Sequence, residues 1–194
     1  MRVGILGGAF NPPHIGHLVC AQESLVQLGL DKVVFVPVGQ APHRDLEGDP
    51  GADQRFEVSR IELDREGPSY TVDTLRALRD AEPKDELFLI LGGDQAAALR
   101  SWHEPEQVLE LATVAVVERL SWSRQAIGIK IGRLTGGQAI RYLDMPIIQV
   151  SSSAIRRRAA AGQPIRYLVP DKVGAQIEAN GLYGAGRAEE AVTP

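Results

Sequence analysis

The sequence predicts an α/β protein built on a doubly wound parallel sheet, and two patterns predict it. Short runs rich in Val, Ile and Leu recur between turn residues, with segments of helical apolar spacing between them. The runs are continuously apolar rather than alternating, as strands buried on both faces of a parallel sheet must be. Right-handed crossovers through the intervening helices follow, and ligands of such a sheet sit beyond the carboxyl ends of its strands.

Taken in order, Val3 to Leu6 opens the sheet and runs into a glycine- and proline-rich turn. A helix beginning near His14 carries Leu18, Ala21, Leu25 and Leu28 on one face. Val33 to Val38 is the second strand. Asp45 to Asp53 reads as an acidic loop. Phe56 to Asp64 alternates polar and apolar residues, so it is either an edge strand or a half-exposed one. Val72, Leu75 and Leu78 mark a helix, Glu86 to Leu91 a strand, and Val108, Leu109 and Leu111 another helix. Thr113 to Val117 and Ile147 to Val150 complete the strands. A last helix is expected to start within Ser151–Ser153, because serine is a favoured N-cap. Residues 1–184 are read as one domain and 185–194, which lack apolar periodicity, as a disordered tail.

Composition narrows the class. At 194 residues the chain can bury one substantial core. It is 44% apolar and 24% charged, and no apolar run approaches the ~18 residues of a membrane span. With no signal-like start and only Cys20 for a thiol, a cytoplasmic location is expected and an internal disulfide is excluded. A formal charge of −4 argues against general nucleic-acid binding. The basic residues Arg156, Arg157, Arg158, Arg166 and Lys172 nevertheless crowd the last quarter, as a local anion site would require.

Three constellations carry chemistry. The first is Gly7-Gly8-Ala9-Phe10-Asn11-Pro12-Pro13-His14-Ile15-Gly16-His17. Two glycines after a strand let backbone approach a ligand, and the helix start offers N–H groups and the positive end of its dipole to an anion. His14 and His17, one turn apart, share a face, and Gly16 keeps bulk away from them. On their own these histidines fit packed or solvated residues as well, and zinc would need a third ligand that is not nearby. The glycine order does not match a dinucleotide fingerprint.

The second constellation is Ser151-Ser152-Ser153-Ala154-Ile155-Arg156, where hydroxyls, open helix-start amides and a guanidinium make a cradle suited to a polyphosphate. A capped surface helix with solvated arginines would look the same in isolation. The third is scattered: Pro42-His43-Arg44, Tyr70-Thr71-Val72-Asp73-Thr74-Leu75, Gly92-Gly93-Asp94 and Ser101-Trp102-His103. Asp94 follows a buried strand, where a carboxylate can accept from ribose hydroxyls. Trp102 can stack on a flat cationic ring, worth about 0.5–2 kcal/mol, or simply pack between helices.

Together these residues resemble the bacterial nicotinate-nucleotide adenylyltransferase family. The HIGH tetrapeptide alone indicates only the wider nucleotidyltransferase superfamily, which includes class I aminoacyl-tRNA synthetases. The serine–arginine run, Pro42-His43 before a base, the Tyr70–Leu75 stretch, Gly92-Gly93-Asp94 before Ser101-Trp102, and the closing Ile165–Pro170 and Gly181-Leu182-Tyr183 narrow it. The resemblance implies a Rossmann-like fold of the HIGH nucleotidyltransferase type. It implies transfer of AMP from ATP, carried with Mg2+, to nicotinate mononucleotide, with no dedicated metal ligands, no nucleic acid and no membrane among its partners; a homo-oligomer is compatible with it. By similarity, Gly7, Gly8, Ala9, Phe10, His14, His17, Ser151, Ser152, Ser153 and Arg156 meet ATP, with His14, His17 and Arg156 at the reacting phosphates. Thr71, Trp102 and His103 surround the nicotinate ring, Asp94 binds the ribose side, and Arg44 and Arg119 approach the mononucleotide or the reacting phosphates.

The sequence departs from the pattern in four places. Ala9 stands where Ser or Thr is common, Arg44 where Lys is common, and His103 where Tyr is frequent; between Asp53 and Phe56 the chain is about a dozen residues shorter than the family pattern. A phosphopantetheine adenylyltransferase shares the HIGH and serine motifs, and a non-catalytic nucleotide sensor could use the same fold. Trp102 and the Tyr70–Leu75 stretch favour the nicotinate enzyme.

Overall fold

The computed structural model describes residues 1–38, 56–117, 123–137 and 139–185. Arg44, Arg119, the acidic loop at Asp45–Asp53 and the tail from residue 186 onward lie outside the described residues. Residues read from sequence as one domain group into two compact units, the first from 1–8, 20–38 and 56–147, the second from 9–19 and 148–185.

The first unit is a six-stranded parallel sheet. Its strands are β1 (Arg2–Gly8), β2 (Lys32–Pro37), β3 (Phe56–Val58), β4 (Glu86–Gly92), β5 (Thr113–Val117) and β6 (Arg141–Leu143), in the order β3-β2-β1-β4-β5-β6. The order reverses between β1 and β4, which makes the sheet doubly wound and puts the switch point beside the central strand. Ile5 on β1 sits opposite Val34 on one side and Leu89 on the other. Val3, Ile5, Val34, Val36, Leu87, Leu89, Val114 and Val116 join one core cluster, each nearly sealed from water. Val33, Phe35, Phe88, Ile90 and Val117, which alternate with them and so lie on the other face, are buried too; at about 1.5–3 kcal/mol for each large side chain buried, this double-sided burial dominates the stability of the unit.

The helices follow the alternation. They are α1 (Ile15–Leu28), α2 (Thr71–Ala81), α3 (Gly93–Ala98), α4 (Pro105–Leu111), α5 (Arg124–Ile131), α6 (Ser152–Ala160) and α7 (Asp171–Ala179), with 3-10 turns at Leu99–Ser101 and Leu182–Gly184. Gly4 marks a close approach: a Cβ there would lie 2.7 Å from Leu30 Cδ1 and 2.9 Å from Ile90 Cδ1. The chain leaving α1 can therefore press on β1 only because residue 4 has no side chain.

Three expectations change. Ile147 to Val150 is not a strand; the sixth strand is Arg141–Leu143, paired with β5 in the register Ala115↔Arg141 to Val117↔Leu143. Pro146 cannot donate to a ladder, and Ile147 is 70% exposed, so the apolar run has neither bonds nor a buried face. Of Phe56 to Asp64 only Phe56–Val58 is strand, and it is the sheet edge. β1 also runs on through Gly7 and Gly8, which pair with Val36 and Pro37 rather than forming the turn itself.

The second unit packs α6, α7 and the turn at Leu182–Gly184 around Ile155, Ala159, Ile165, Val169 and Ile177. Its other part is the loop leading into α1, with Phe10 in the left-handed region at φ 43° and a cis peptide between Asn11 and Pro12. Among the described residues no helix is long and apolar enough to cross a membrane.

Candidate active site

In the second unit the early and late motifs meet. Ser151 caps α6, its hydroxyl accepting from the Ala154 amide at 3.2 Å. That places Ser152 and Arg156 one turn apart on the helix, and both reach the loop before α1. The Ser152 hydroxyl donates to the Pro12 carbonyl at 2.9 Å, and the Arg156 guanidinium donates to the Asn11 carbonyl at 2.6 Å and to Ser153 Oγ at 3.3 Å. Among the described residues the amides of Ser152 and Ser153 have no acceptor, so the start of this nine-residue helix keeps two N–H donors and its dipole for an anion.

The two imidazoles of the tetrapeptide stack, with ring centroids 3.7 Å apart and planes inclined by 22°. His14 is buried and His17 half-buried. His17 Nδ1 accepts from the His14 amide at 3.1 Å, which assigns the neutral ring's proton to Nε2 and makes that atom a donor. Phe10 fixes the other side of the ring by an edge contact, centroids 5.0 Å apart at 80°. Gly16 leaves room for His14: a Cβ on it would sit 3.1 Å from His14 Cε1 and Nδ1.

The start of α1 differs from expectation. The His14 amide is taken by His17, that of Ile15 donates to the Leu168 carbonyl at 3.0 Å, and that of His17 donates back to the His14 carbonyl at 2.9 Å. This helix presents imidazole and dipole rather than a row of open amides. The three hydroxyls of Ser151–Ser153 likewise take three different partners: an amide, a carbonyl and a guanidinium.

Tyr183 and Asn11 were not singled out from sequence as a pair. The Tyr183 hydroxyl donates to Asn11 Oδ1 at 2.5 Å, which ties the closing segment to the same loop. Burial raises the Tyr183 pKa above the usual phenol value, opposed by the nearby charge of Arg156. The hydroxyl is therefore held as a donor at neutral pH.

The remaining predicted residues belong to the first unit. Thr71 opens α2. Tyr70, just before it, lies against His103 with ring centroids 4.4 Å apart. Arg76 bonds Glu104 at 2.5 Å and reaches Asp73 at 3.5 Å, while His103 Nε2 stands 3.2 Å from Glu104 Oε1. The hydrogen bond from Arg76 lowers the Glu104 pKa and the same bond raises that of Arg76, so both stay charged. This network brings the Thr71 end of α2 and the Trp102-His103 turn together. Trp102 is half-buried and packs on the sheet's core cluster, so the packing role is real. Asp94 is exposed in the first turn of α3, directly after β4. Among the described residues no three His, Cys, Asp or Glu side chains gather as a metal site.

Residues 5–158 match the cytidylyltransferase-like family, and the chain belongs to it. A protein of Geobacillus thermodenitrificans named "Probable nicotinate-nucleotide adenylyltransferase" is 39% identical over 95% of this chain and 87% of its own. One of the same name from Thermus thermophilus is 40% identical over 94% of this chain and 100% of its own. Within the wider class, the chain is thus a member of the nicotinate-nucleotide adenylyltransferase family. The fold is shared with Plasmodium falciparum nicotinic acid mononucleotide adenylyltransferase complexed with NaAD, at a TM-score of 0.74 and 16% identity, covering 96% of this chain and 98% of that one.

Proposed function

We propose that the chain transfers AMP from ATP to nicotinate mononucleotide, releasing pyrophosphate and forming deamido-NAD in the biosynthesis of NAD. The observation that carries this reading is the joining of the HIGH loop to the serine–arginine helix through Ser152 and Arg156, in a chain whose relatives bear that name over nearly their whole length.

The chemistry suits these residues. A phosphate oxygen of nicotinate mononucleotide attacks the α-phosphorus of ATP, and the bond from that phosphorus to the bridging oxygen breaks as pyrophosphate departs. A phosphate monoester has its second pKa near ~6, so the nucleophile is already largely dianionic and needs no general base. What remains is to hold two polyanions in line and to stabilise charge building on the leaving group. Open amides of Ser152 and Ser153, the Arg156 guanidinium and His17 Nε2 are donors of the type required, and such a donor is typically worth about 3 kcal/mol in the transition state. His14 packs His17 in place and adds its own ring to the phosphate side. The backbone of Gly7, Gly8, Ala9 and Phe10 would accept the close approach of ATP without a side-chain hydroxyl at position 9.

Mg2+ would arrive on the triphosphate, as part of the substrate. Thr71, Trp102 and His103 would bound the nicotinate ring and Asp94 the ribose hydroxyls. Arg44 and Arg119 are assigned to the mononucleotide side on the sequence pattern alone. The reading fits a cytoplasmic enzyme. A pyrophosphate-release assay with ATP, Mg2+ and a panel of acceptors tests it: release should depend on nicotinate mononucleotide, and dependence on phosphopantetheine instead would overturn it.

A further inference from the structure

Neither backbone preference nor packing accounts for the tyrosine at position 183. Tyr183 lies in the left-handed region at φ 59° and ψ 15°, in the turn between Gly181 at φ 57° and Gly184 at φ 83°. Glycine or asparagine is ordinary there and a bulky aromatic is rare, so the chain keeps this side chain against the local preference. The ring packs on the cluster of Ile155, Ala159, Ile165, Val169 and Ile177, a contact that phenylalanine would make equally well. What phenylalanine lacks is the hydroxyl, which donates to Asn11 Oδ1 at 2.5 Å from 172 residues away.

The acceptor stands at a sensitive place. Asn11 takes two bonds from the far end of the sequence, the phenol at its side chain and Arg156 at its carbonyl. Phe10, the residue before it, is also left-handed, at φ 43°, and meets the His17 ring edge-on. A bulky residue does not stay in that region on its own account, so an anchor on the next residue fixes where Phe10, and with it the imidazole, can lie. We infer that Tyr183 is a positioning residue for the adenylyl transfer: through Asn11 it holds the loop that orients His17 and Arg156, an inference that rests on the function proposed above.

Two other roles make different predictions. A hydroxyl that only fastened the closing segment would matter to stability and not to ATP. A ring that only packed would lose nothing when its hydroxyl is removed. Burial keeps the phenol protonated at neutral pH, so the bond is present where the reaction is assayed.

Calorimetric titration of the full chain with ATP and Mg2+, beside steady-state kinetics, tests the inference. Tyr183→Phe keeps the packing and so the fold. It is expected to weaken ATP binding and to lower turnover by about tenfold each, with KM for nicotinate mononucleotide within about twofold of the parent and Tm within about 3 °C. Asn11→Ala, which leaves the carbonyl to Arg156, should show the same pattern. The double variant should lose no more than either single one, because the two groups act as one. Parental ATP affinity and turnover in Tyr183→Phe would overturn the inference, as would losses that add in the double variant or that fall equally on ATP and the mononucleotide. ATP affinity is read without an acceptor, so a parent chain that fails to use nicotinate mononucleotide counts against the adenylyl-transfer reading alone.

Discussion

The Arg156 guanidinium donates to the backbone carbonyl of Asn11 at 2.6 Å, across 145 residues of sequence. One side chain therefore couples the shape of the loop before α1 to the start of α6. Replacing it removes a positive charge and frees the loop at once. Arg156→Ala is expected to lower turnover by about a hundredfold or more. Arg156→Lys should recover little of this, because an ammonium cannot reach the Asn11 carbonyl and Ser153 Oγ from one planar fork. Steady-state kinetics on both variants check this.

His17 is held by the His14 amide, the His14 ring and Phe10, so its ring orientation is fixed by the protein itself. Turnover of His17→Ala should fall about a hundredfold or more with the fold intact. Near-normal turnover, with an unchanged melting curve, would remove this imidazole from the mechanism.

Gly16→Ala separates two effects of opposite sign. Alanine in a helix is favoured over glycine by roughly 0.5–1 kcal/mol. The added methyl would however meet the His14 ring at 3.1 Å. Because that ring is buried and stacked on His17, the expected outcome is a loss of kcat/KM for ATP of about tenfold without a matching loss in Tm. Unchanged kinetics would show that the ring can give way.

Glu62 provides a pH-dependent term in the first unit. Its carboxyl is buried, accepts from Thr74 Oγ1 at 2.8 Å, and has its pKa raised by burial against the lowering effects of Thr74 and Arg65. A carboxyl with a raised folded-state pKa binds more protons folded than unfolded, so its contribution to stability is complete below the unfolded value and is lost as pH rises through the folded one. Thermal melts should therefore show Glu62→Gln gaining relative to the parent as pH climbs from about 4 toward neutrality. A parallel pH dependence of the two proteins would contradict this.

Trp102 packs on the core cluster and borders the His103 turn, so Trp102→Ala should act twice. A stability loss of about 2–4 kcal/mol is expected from the lost burial. If the ring also bounds the nicotinate, KM for the mononucleotide should rise about tenfold while that for ATP changes little; equal changes in both would leave only the packing role.

Much of this was legible in the sequence, for physical reasons that differ by element. β1, β2, β4 and β5 announce themselves because burial on both faces demands unbroken Val, Ile and Leu. β6 does not, since Arg141-Tyr142-Leu143 is too short to show a period, while the longer run after Pro146 mimics a strand without pairing as one. α5 carries Gly128 in its middle and too few turns for an apolar stripe to stand out. The start of α6 was readable because Ser151 caps it. The bonds from Arg156 and Ser152 to the early loop, and from Tyr183 to Asn11, join residues more than a hundred positions apart and leave no local trace. Motif content pointed to the two halves of the proposed phosphate cradle; only the fold shows which atoms join them.

The central claim is that the HIGH loop and the α6 start together grip a triphosphate, and the affinity ratio of ATP to AMP measures that grip directly. Calorimetry on the parent chain should give a ratio of about a hundred or more, since each charge-assisted hydrogen bond to the outer phosphates contributes about 1.5–3 kcal/mol. In Arg156→Ala combined with His17→Ala the ratio should collapse toward one while AMP binding persists. A ratio that the double substitution leaves unchanged would contradict the account.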